Sequence, residues 1–488
     1  MASVPTLLRK LAKLTALAGG AFGVRQVLND GSAEKLARSA RVARLSTRRA
    51  GHYGAMKLRG AASDEARRAE LDQEFLIRSA EDVAKELGNM KGAMMKAGQM
   101  LSFLFDGLPP EAQQSLATLR ADAPPMAPSL AAQVVADELG APPEKVFLSW
   151  TDLPIAAASI GQVHKATLRD GREVAVKVQY PGIDTALESD LVNVRVMFKA
   201  FSNVALKGMD VDTLTSELYA RMLDELDYEH EASCQAAFAE RYQGHPFVRI
   251  PAVIQEFSTR KVLTTEWVEG MGWDDFLKTS NEAQRQYVAE VLFRFIQGSI
   301  YRDGVFNGDP HPGNYLFGTA GTADSDEPLV TFLDFGLVKR WEDGELESLT
   351  PLTDPLLRRE PEELVANMVS AGFLQPDHGL DPEQVWQYVI KPYTPFLEQP
   401  YTYAPDFVQT ALGGLLEVDG PLAKVMNALD MPSSFVILDR VVWGLSAMMG
   451  HLRASNDWRT MLEEYTTSAA PSTELGRREA AWAAARNQ

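Results

Sequence analysis

The chain has 488 residues, 45% of them hydrophobic and 23% charged, a composition that suits a soluble globular protein of two to three domains or one elaborated domain. Its net charge of −18 argues against general nucleic-acid binding. A single cysteine, Cys234, leaves no internal disulfide or cysteine-based metal cluster, and suits a reducing, cytoplasmic compartment.

The charge is unevenly spread. Residues 1–60 hold twelve Lys/Arg and two acidic residues, Asp30 and Glu34, a balance of +10 that leaves −28 on the rest. Residues 1–62 therefore read as a basic arm and linker on an acidic body. Such an arm suits peripheral contact with an anionic membrane or folding back on the body, with a solvated tail as the plain alternative. No uninterrupted apolar run reaches the roughly 18 residues of a membrane span. Residues 63–144 read as a helical extension. Its second helix runs through Met90–Leu104, where Lys96 and Gln99 stand three apart and share a face. Prolines 124, 125 and 128 mark a loop before a helix at Leu130–Leu139.

The period changes across residues 145–270. Val146–Trp150 predicts a strand, followed by a tight turn of small residues, Ala156-Ala157-Ala158-Ser159. An alternating strand and a hairpin at Arg169-Asp170-Gly171-Arg172 lead into Glu173–Gln179. There Val174, Val176 and Val178 point one way and Lys177 the other. Residues 182–240 read as helical and include the acidic cluster Glu225, Asp227 and Glu231, which repels itself unless cations sit among it. Lys177, Lys96, Mg²⁺ or solvent are the candidates. Strands at Arg249–Phe257 and Lys261–Trp267 run into an extended connector with Glu266, Val268 and Gly270. Residues 271–466 read as helical, with a patterned core helix over Glu282–Asp303 and an apolar, buried helix over Phe435–Leu452. Residues 467–488 read as a frayed tail.

Within this helical half, Asp309 and Asn314 stand five apart around Pro-His-Pro-Gly, and Asp334-Phe-Gly follows an apolar run. A protein-kinase fold presents its catalytic Asp, its metal-binding Asn and its second metal-binding Asp in this order. Mg²⁺ takes oxygen ligands and keeps positions for water and phosphate, so such an amide and carboxylate can clamp Mg-ATP. The small-residue loop, the Lys177 strand and the Glu266–Gly270 connector repeat the order of phosphate loop, phosphate-binding lysine and adenine hinge.

Four motifs together resemble the UbiB family, also called AarF-domain-containing (ADCK) atypical kinases. They are Lys96-Ala-Gly-Gln99, the alanine loop 156–159, Glu225-Leu-Asp227, and Asp309 to Asn314 with Asp334-Phe-Gly. The resemblance implies an α+β, bilobal protein-kinase-like fold with added N-terminal helices over the active site and a helical C-terminal extension. It implies ATP and Mg²⁺ as cofactors. Lys177 would contact phosphates and pair with Glu231, while Asn314 and Asp334 would hold the metal. Asp309 would stand at the base position, and Lys96 and Gln99 would lie beside Glu225 and Asp227. Ala156, Ala157, Ala158, Ser159, Glu266 and Val268 would line the nucleotide. The helix folded over the site disfavours protein substrates. An ATPase or small-molecule/lipid kinase supporting isoprenoid-lipid or quinone metabolism is expected, in the cytoplasm or peripheral at a membrane, with a nucleotide-switched scaffold as the alternative. The partners implied are a nucleotide and a lipid or quinone precursor. The chain departs from ordinary protein kinases in having Asn307-Gly308 before Asp309 and no Ala-Pro-Glu after Asp334.

Overall fold

Alternate valines build the first sheet. In the computed structural model, which describes residues 126–158, 160–183, 226–319, 327–413, 422–430 and 433–486, Val174, Val176 and Val178 are all 0% exposed. The chain enters through helix α1 (Pro128–Leu139) and strands β1 (Ser149–Trp150), β2 (Ala156–Ala158), β3 (Gly161–Thr167) and β4 (Glu173–Gln179). The strand expected over Val146–Trp150 is shorter, because Pro143–Val146 forms a helical turn instead. Proline at the first position of such a turn fits its fixed φ.

The described residues divide between two units. One holds 126–130, 156–162, 179–183 and Leu226, with Ser159 outside the described residues. In it, the buried Gln162 accepts a hydrogen bond from the Met126 N–H at 2.9 Å, and the buried Gln179 donates to the Leu226 carbonyl at 2.8 Å. Both amides thereby recover the cost of leaving water. Ala156 and Ala157 are exposed.

The other unit holds 131–155, 163–178 and the described residues from Asp227 onward. Helix α2 (Tyr228–Arg241) leads to strands β5 (Val248–Arg249) and β6 (Val262–Glu266). The longer strand expected at Arg249–Phe257 gives way, after Pro251, to a 3₁₀ turn at Gln255–Phe257. β4 and β6 pair antiparallel with Lys177 opposite Leu263. Helices α3 (Trp273–Thr279) and α4 (Glu282–Gln297) follow. Asn281 and Gln284 form a reciprocal capping box that starts α4, and every residue from Val288 to Gln297 is buried. A helix apolar nearly all round belongs in a core. α4 ends in a π-helical turn, Gly298–Arg302.

Strands β7 (Val305–Asn307), β8 (Tyr315–Thr319), β9 (Pro328–Phe332) and β10 (Val338–Arg340) carry the loops of the site. β7 pairs with β10, and β9 lies between β5 and β8. Helices α5 (Glu345–Arg358), α6 (Pro361–Ser370) and α7 (Pro382–Val389) lead toward α8 (Ser433–Leu452), which packs against α4. Among the described residues, Ser434–Leu452 is the one stretch long and apolar enough to cross a membrane, and 67% of its most apolar window is buried inside the protein. That burial marks a core helix.

Helices α9 (Trp458–Thr466) and α10 (Glu474–Arg486) close the described chain. The frayed tail expected over 467–488 is therefore corrected over most of its length. α10 docks because the buried Arg294 guanidinium of α4 and the partly exposed Arg302 guanidinium of its π turn both reach Glu479. Glu479 accepts from Arg302 Nη1 at 2.6 Å, from the Tyr465 hydroxyl at 2.5 Å and from Arg294 Nη1 at 3.4 Å. Trp482 donates to the Gln243 carbonyl at 3.0 Å and stacks on Tyr242. Composition rich in Ala, Arg and Glu hides this, since the partners lie far back in the chain.

Burial alone would raise the Glu479 pKa, yet it falls to about 2. The His245 ring, 4.0 Å away, is beyond hydrogen-bond reach, so the Arg302 guanidinium and the Tyr465 hydroxyl carry the shift. A depressed carboxylate adds stability above its unfolded pKa and loses it as pH falls toward the folded value. The window here opens near pH 4.5 and runs downward from there. Glu479→Gln is expected to flatten the acid limb of a melting-temperature profile in that window. An unchanged slope would count against the assignment.

Candidate phosphoryl-transfer site

Lys177 owes its direction to the alternation of β4. Its Nζ donates to both oxygens of Glu231 at 2.9 Å and lies 3.8 Å from Asp334 Oδ2. It also sits 4.8 Å above the centre of the Tyr228 ring. Burial would lower the lysine pKa, but the charges of Glu231 and Asp334 outweigh it and hold it well above its ordinary value. Glu231 reaches the lysine from the first turn of α2. Asp227 starts that helix, its Oδ1 accepting from the Glu229 and His230 N–H groups at 3.1 Å each. Capping of this kind contributes about 1 kcal/mol, and it gives Asp227 a function independent of any cation.

The β7–β10 ladder, with Asn307 opposite Val338, brings two loops together. Asn307 joins them. Its Oδ1 accepts from the Asp309 N–H at 2.9 Å, and its Nδ2 donates to the Asp334 carbonyl at 2.5 Å. The Gly308 N–H donates to the Leu337 carbonyl at 2.7 Å. Asn314 Nδ2 donates to the Asp309 carbonyl at 3.1 Å, and the Gly336 N–H donates to Asp334 Oδ1 at 3.0 Å. Asn307 stood out in the sequence only as a departure before Asp309; its bridging role depends on β10 and was not readable there. Asn307→Ala is expected to cost about 1–3 kcal/mol of stability through these lost bonds. Equilibrium urea unfolding reads this directly, and a loss near zero would refute the bridge.

Asp309 is 5% exposed, and Arg440 Nη2 donates to its Oδ1 at 2.5 Å. This partner comes from α8 and was not singled out for the site by its spacing. With Asn314 Nδ2 given to a carbonyl, the amide presents its oxygen on the other side. That amide oxygen and the Asp334 carboxylate are both hard donors of the kind Mg²⁺ takes.

At the connector expected to face a nucleotide, β6 ends at Glu266, whose carboxylate accepts from Arg249 Nη2 at 2.5 Å and whose N–H donates to the Ala252 carbonyl at 2.8 Å. Val268 is buried. The connector is pinned to β8 by two hydrogen bonds of 2.9 Å between Met271 and Phe317. Gly318 permits this, because a Cβ there would lie 2.9 Å from the Glu269 carbonyl oxygen. A groove of about 520 Å³ lies alongside, lined by Tyr242, His245, Arg249 and Glu266 but by none of Lys177, Asp309 and Asp334.

The structure thus brings Lys177 against Glu231 and Asp334, links Asp309 to Asp334 through Asn307, and ties Asn314 to the Asp309 carbonyl. Ala156, Ala157 and Ala158 belong to the other unit. Lys96, Gln99, Glu225 and Ser159 lie outside the described residues.

A family model described as the ABC1 atypical kinase-like domain matches residues 118–367, just over half of the chain. The chain belongs to this family. Among its ABC1 relatives, the rat atypical kinase COQ8B, mitochondrial, is 33% identical over 53% of this chain and 48% of its own length. The Arabidopsis thaliana Protein ACTIVITY OF BC1 COMPLEX KINASE 1, chloroplastic, is 29% identical over 65% of this chain and 47% of its own. The chain spans about half the length of these curated relatives. A solved Mycobacterium tuberculosis protein, Rv3197 in complex with erythromycin, is 30% identical, with a TM-score of 0.58 over 81% of this chain and 97% of that one. The ABC1 assignment and the paired sheet and helices agree on a kinase-like α+β fold.

Proposed function

We propose that this ABC1 protein binds Mg-ATP and either hydrolyses it or passes its terminal phosphoryl group to a small-molecule or lipid acceptor. The observation that carries the reading is the Lys177 ammonium held by both oxygens of Glu231, with Asp334 3.8 Å away. Phosphoryl transfer is catalysed mostly by positioning and charge stabilisation, and these residues supply both. Lys177 would meet the α- and β-phosphates, and Glu231 would hold it there. Asn314 and Asp334 would hold Mg²⁺, which neutralises phosphate charge when bound. Asn307 would keep Asp309 and Asp334 in register. The UbiB resemblance supports isoprenoid-lipid or quinone metabolism as the setting. The basic residues 1–60, outside the described residues, support action at an anionic membrane surface.

The test is a thermal melt of the full chain with and without Mg-ATP, followed by phosphate release with and without anionic vesicles. Stabilisation and turnover are expected, with faster turnover on vesicles. No stabilisation by any adenine nucleotide overturns the reading. Stabilisation without turnover on any surface would point instead to a nucleotide-switched scaffold.

A further inference from the structure

Helix α8 meets the Asp309 loop at three points on one face. Residues 437, 440 and 444 are spaced three and four apart, so they line one side of the helix. Gly308 lies so near that a Cβ there would be 2.8 Å from Ile437 Cγ2. Gly444 lies so near Pro310 that a Cβ would overlap the proline ring. Between these two close approaches, Arg440 reaches Asp309, with side-chain exposures of 18% and 6%. The loop itself, Asn307-Gly-Asp-Pro-His-Pro-Gly-Asn314, has no lysine or arginine. A cation beside Asp309 comes instead from another element, 131 residues further on.

We propose that Arg440 is the positioning residue for Asp309 and that α8 sets the working geometry of the Asp309 loop. This rests on the reading of the site as one for ATP hydrolysis or phosphoryl transfer. In that step the oxygen of a water or hydroxyl bonds to the γ-phosphorus as the bond to the β–γ bridging oxygen breaks. The electron pair leaves with ADP, and the acceptor's proton passes to Asp309. A carboxylate that faces an incoming, negatively charged phosphoryl group is repelled by it. A guanidinium on Oδ1 offsets that repulsion and fixes where the second oxygen points, and both effects act on the reacting geometry. Gly308 and Gly444 let the helix come close enough to do so.

The test uses the full chain, measuring Mg-ATP turnover and the melting shift caused by Mg-ATP. Arg440→Met is expected to lower kcat about tenfold or more, with KM for ATP and the melting shift changed by less than about twofold. Arg440→Lys should recover part of the loss. Gly444→Ala keeps the charge but pushes α8 from Pro310, and should lower kcat in the same way. It and Arg440→Lys decide the matter if the methionine variant does not fold. Turnover at the wild-type rate in Gly444→Ala and in whichever Arg440 variants fold overturns the proposal, as does a rise in KM at constant kcat. Loss confined to Arg440→Met and Gly444→Ala, with partial recovery by lysine, supports it. A wild type that Mg-ATP neither stabilises nor turns into product overturns the nucleotide reading, and the role of Arg440 with it. A normal melting shift with unmoved turnover overturns the role of Arg440 alone.

Discussion

Arg294→Met will melt far below the wild type, with an expected loss of about 3–5 kcal/mol. Arg294 is 1% exposed in the middle of the core helix α4. Its Nε donates to Glu290 at 2.7 Å, its Nη1 to Glu464 at 2.8 Å and its Nη2 to Thr473 at 2.8 Å. Burial disfavours the guanidinium, but the hydrogen bonds to Glu464 and Glu290 outweigh it, so the residue is held charged. Methionine fills similar volume and removes the charge. Glu290, Glu464 and Glu479 are then left buried with too little positive charge. Breaking a buried pair in this one-sided way costs far more than its net contribution when intact. The loss is a large share of a typical total stability of about 5–15 kcal/mol. Urea unfolding of Arg294→Met, with Arg294→Lys as the charge-retaining comparison, reads it out. A methionine variant within about 1 kcal/mol of the wild type would show that the carboxylates find other partners.

Asp334→Asn should abolish Mg-ATP stabilisation and cut turnover by about a hundredfold or more. The substitution is close to isosteric. Its side-chain oxygen can still accept from the Gly336 N–H, which Asp334 Oδ1 does at 3.0 Å. Lys177 keeps both bonds to Glu231, so the apo melting temperature should change little. What is lost is one full negative charge in the oxygen set that fits Mg²⁺. The informative comparison is therefore the difference between melts with and without Mg-ATP. A variant that keeps the wild-type difference would remove Asp334 from the metal assignment, even if turnover fell.

Local pattern carried much of the fold. The alternation of Val174, Val176 and Val178 placed Lys177 on the opposite face, and the structure puts Glu231 there. The helical spacing of Val288 to Ile300 announced α4 and, with it, the approach to Asp309. The features that stayed hidden depend on partners distant in sequence. Asn307 looked like a mere replacement because its acceptor, the Asp334 carbonyl, lies 27 residues on. Arg440 was, with Asp439, one of two adjacent charges in an apolar helix until Asp309 came beside it. Residues 474–486 lacked a strong apolar stripe, and the buried Arg294 and partly exposed Arg302 hold them in place through Glu479. Asp227 shows the opposite case. It was grouped with a catalytic cluster by motif, whereas its observed bonds begin α2.

Arg294, buried in α4, also sets an order in time. Glu464, Thr473 and Glu479 follow Arg294 by 170, 179 and 185 positions. A ribosome adding about 5–20 residues per second needs on the order of ten to forty seconds to supply them. During that interval the newly made helix carries a guanidinium whose native partners, Glu290 apart, have yet to be synthesised. Keeping that charge wet delays the closing of this core until residues 464–479 arrive. A chain released before them would leave the ribosome with the Lys177–Asp334 segments already made and Arg294 still without Glu464, Thr473 and Glu479.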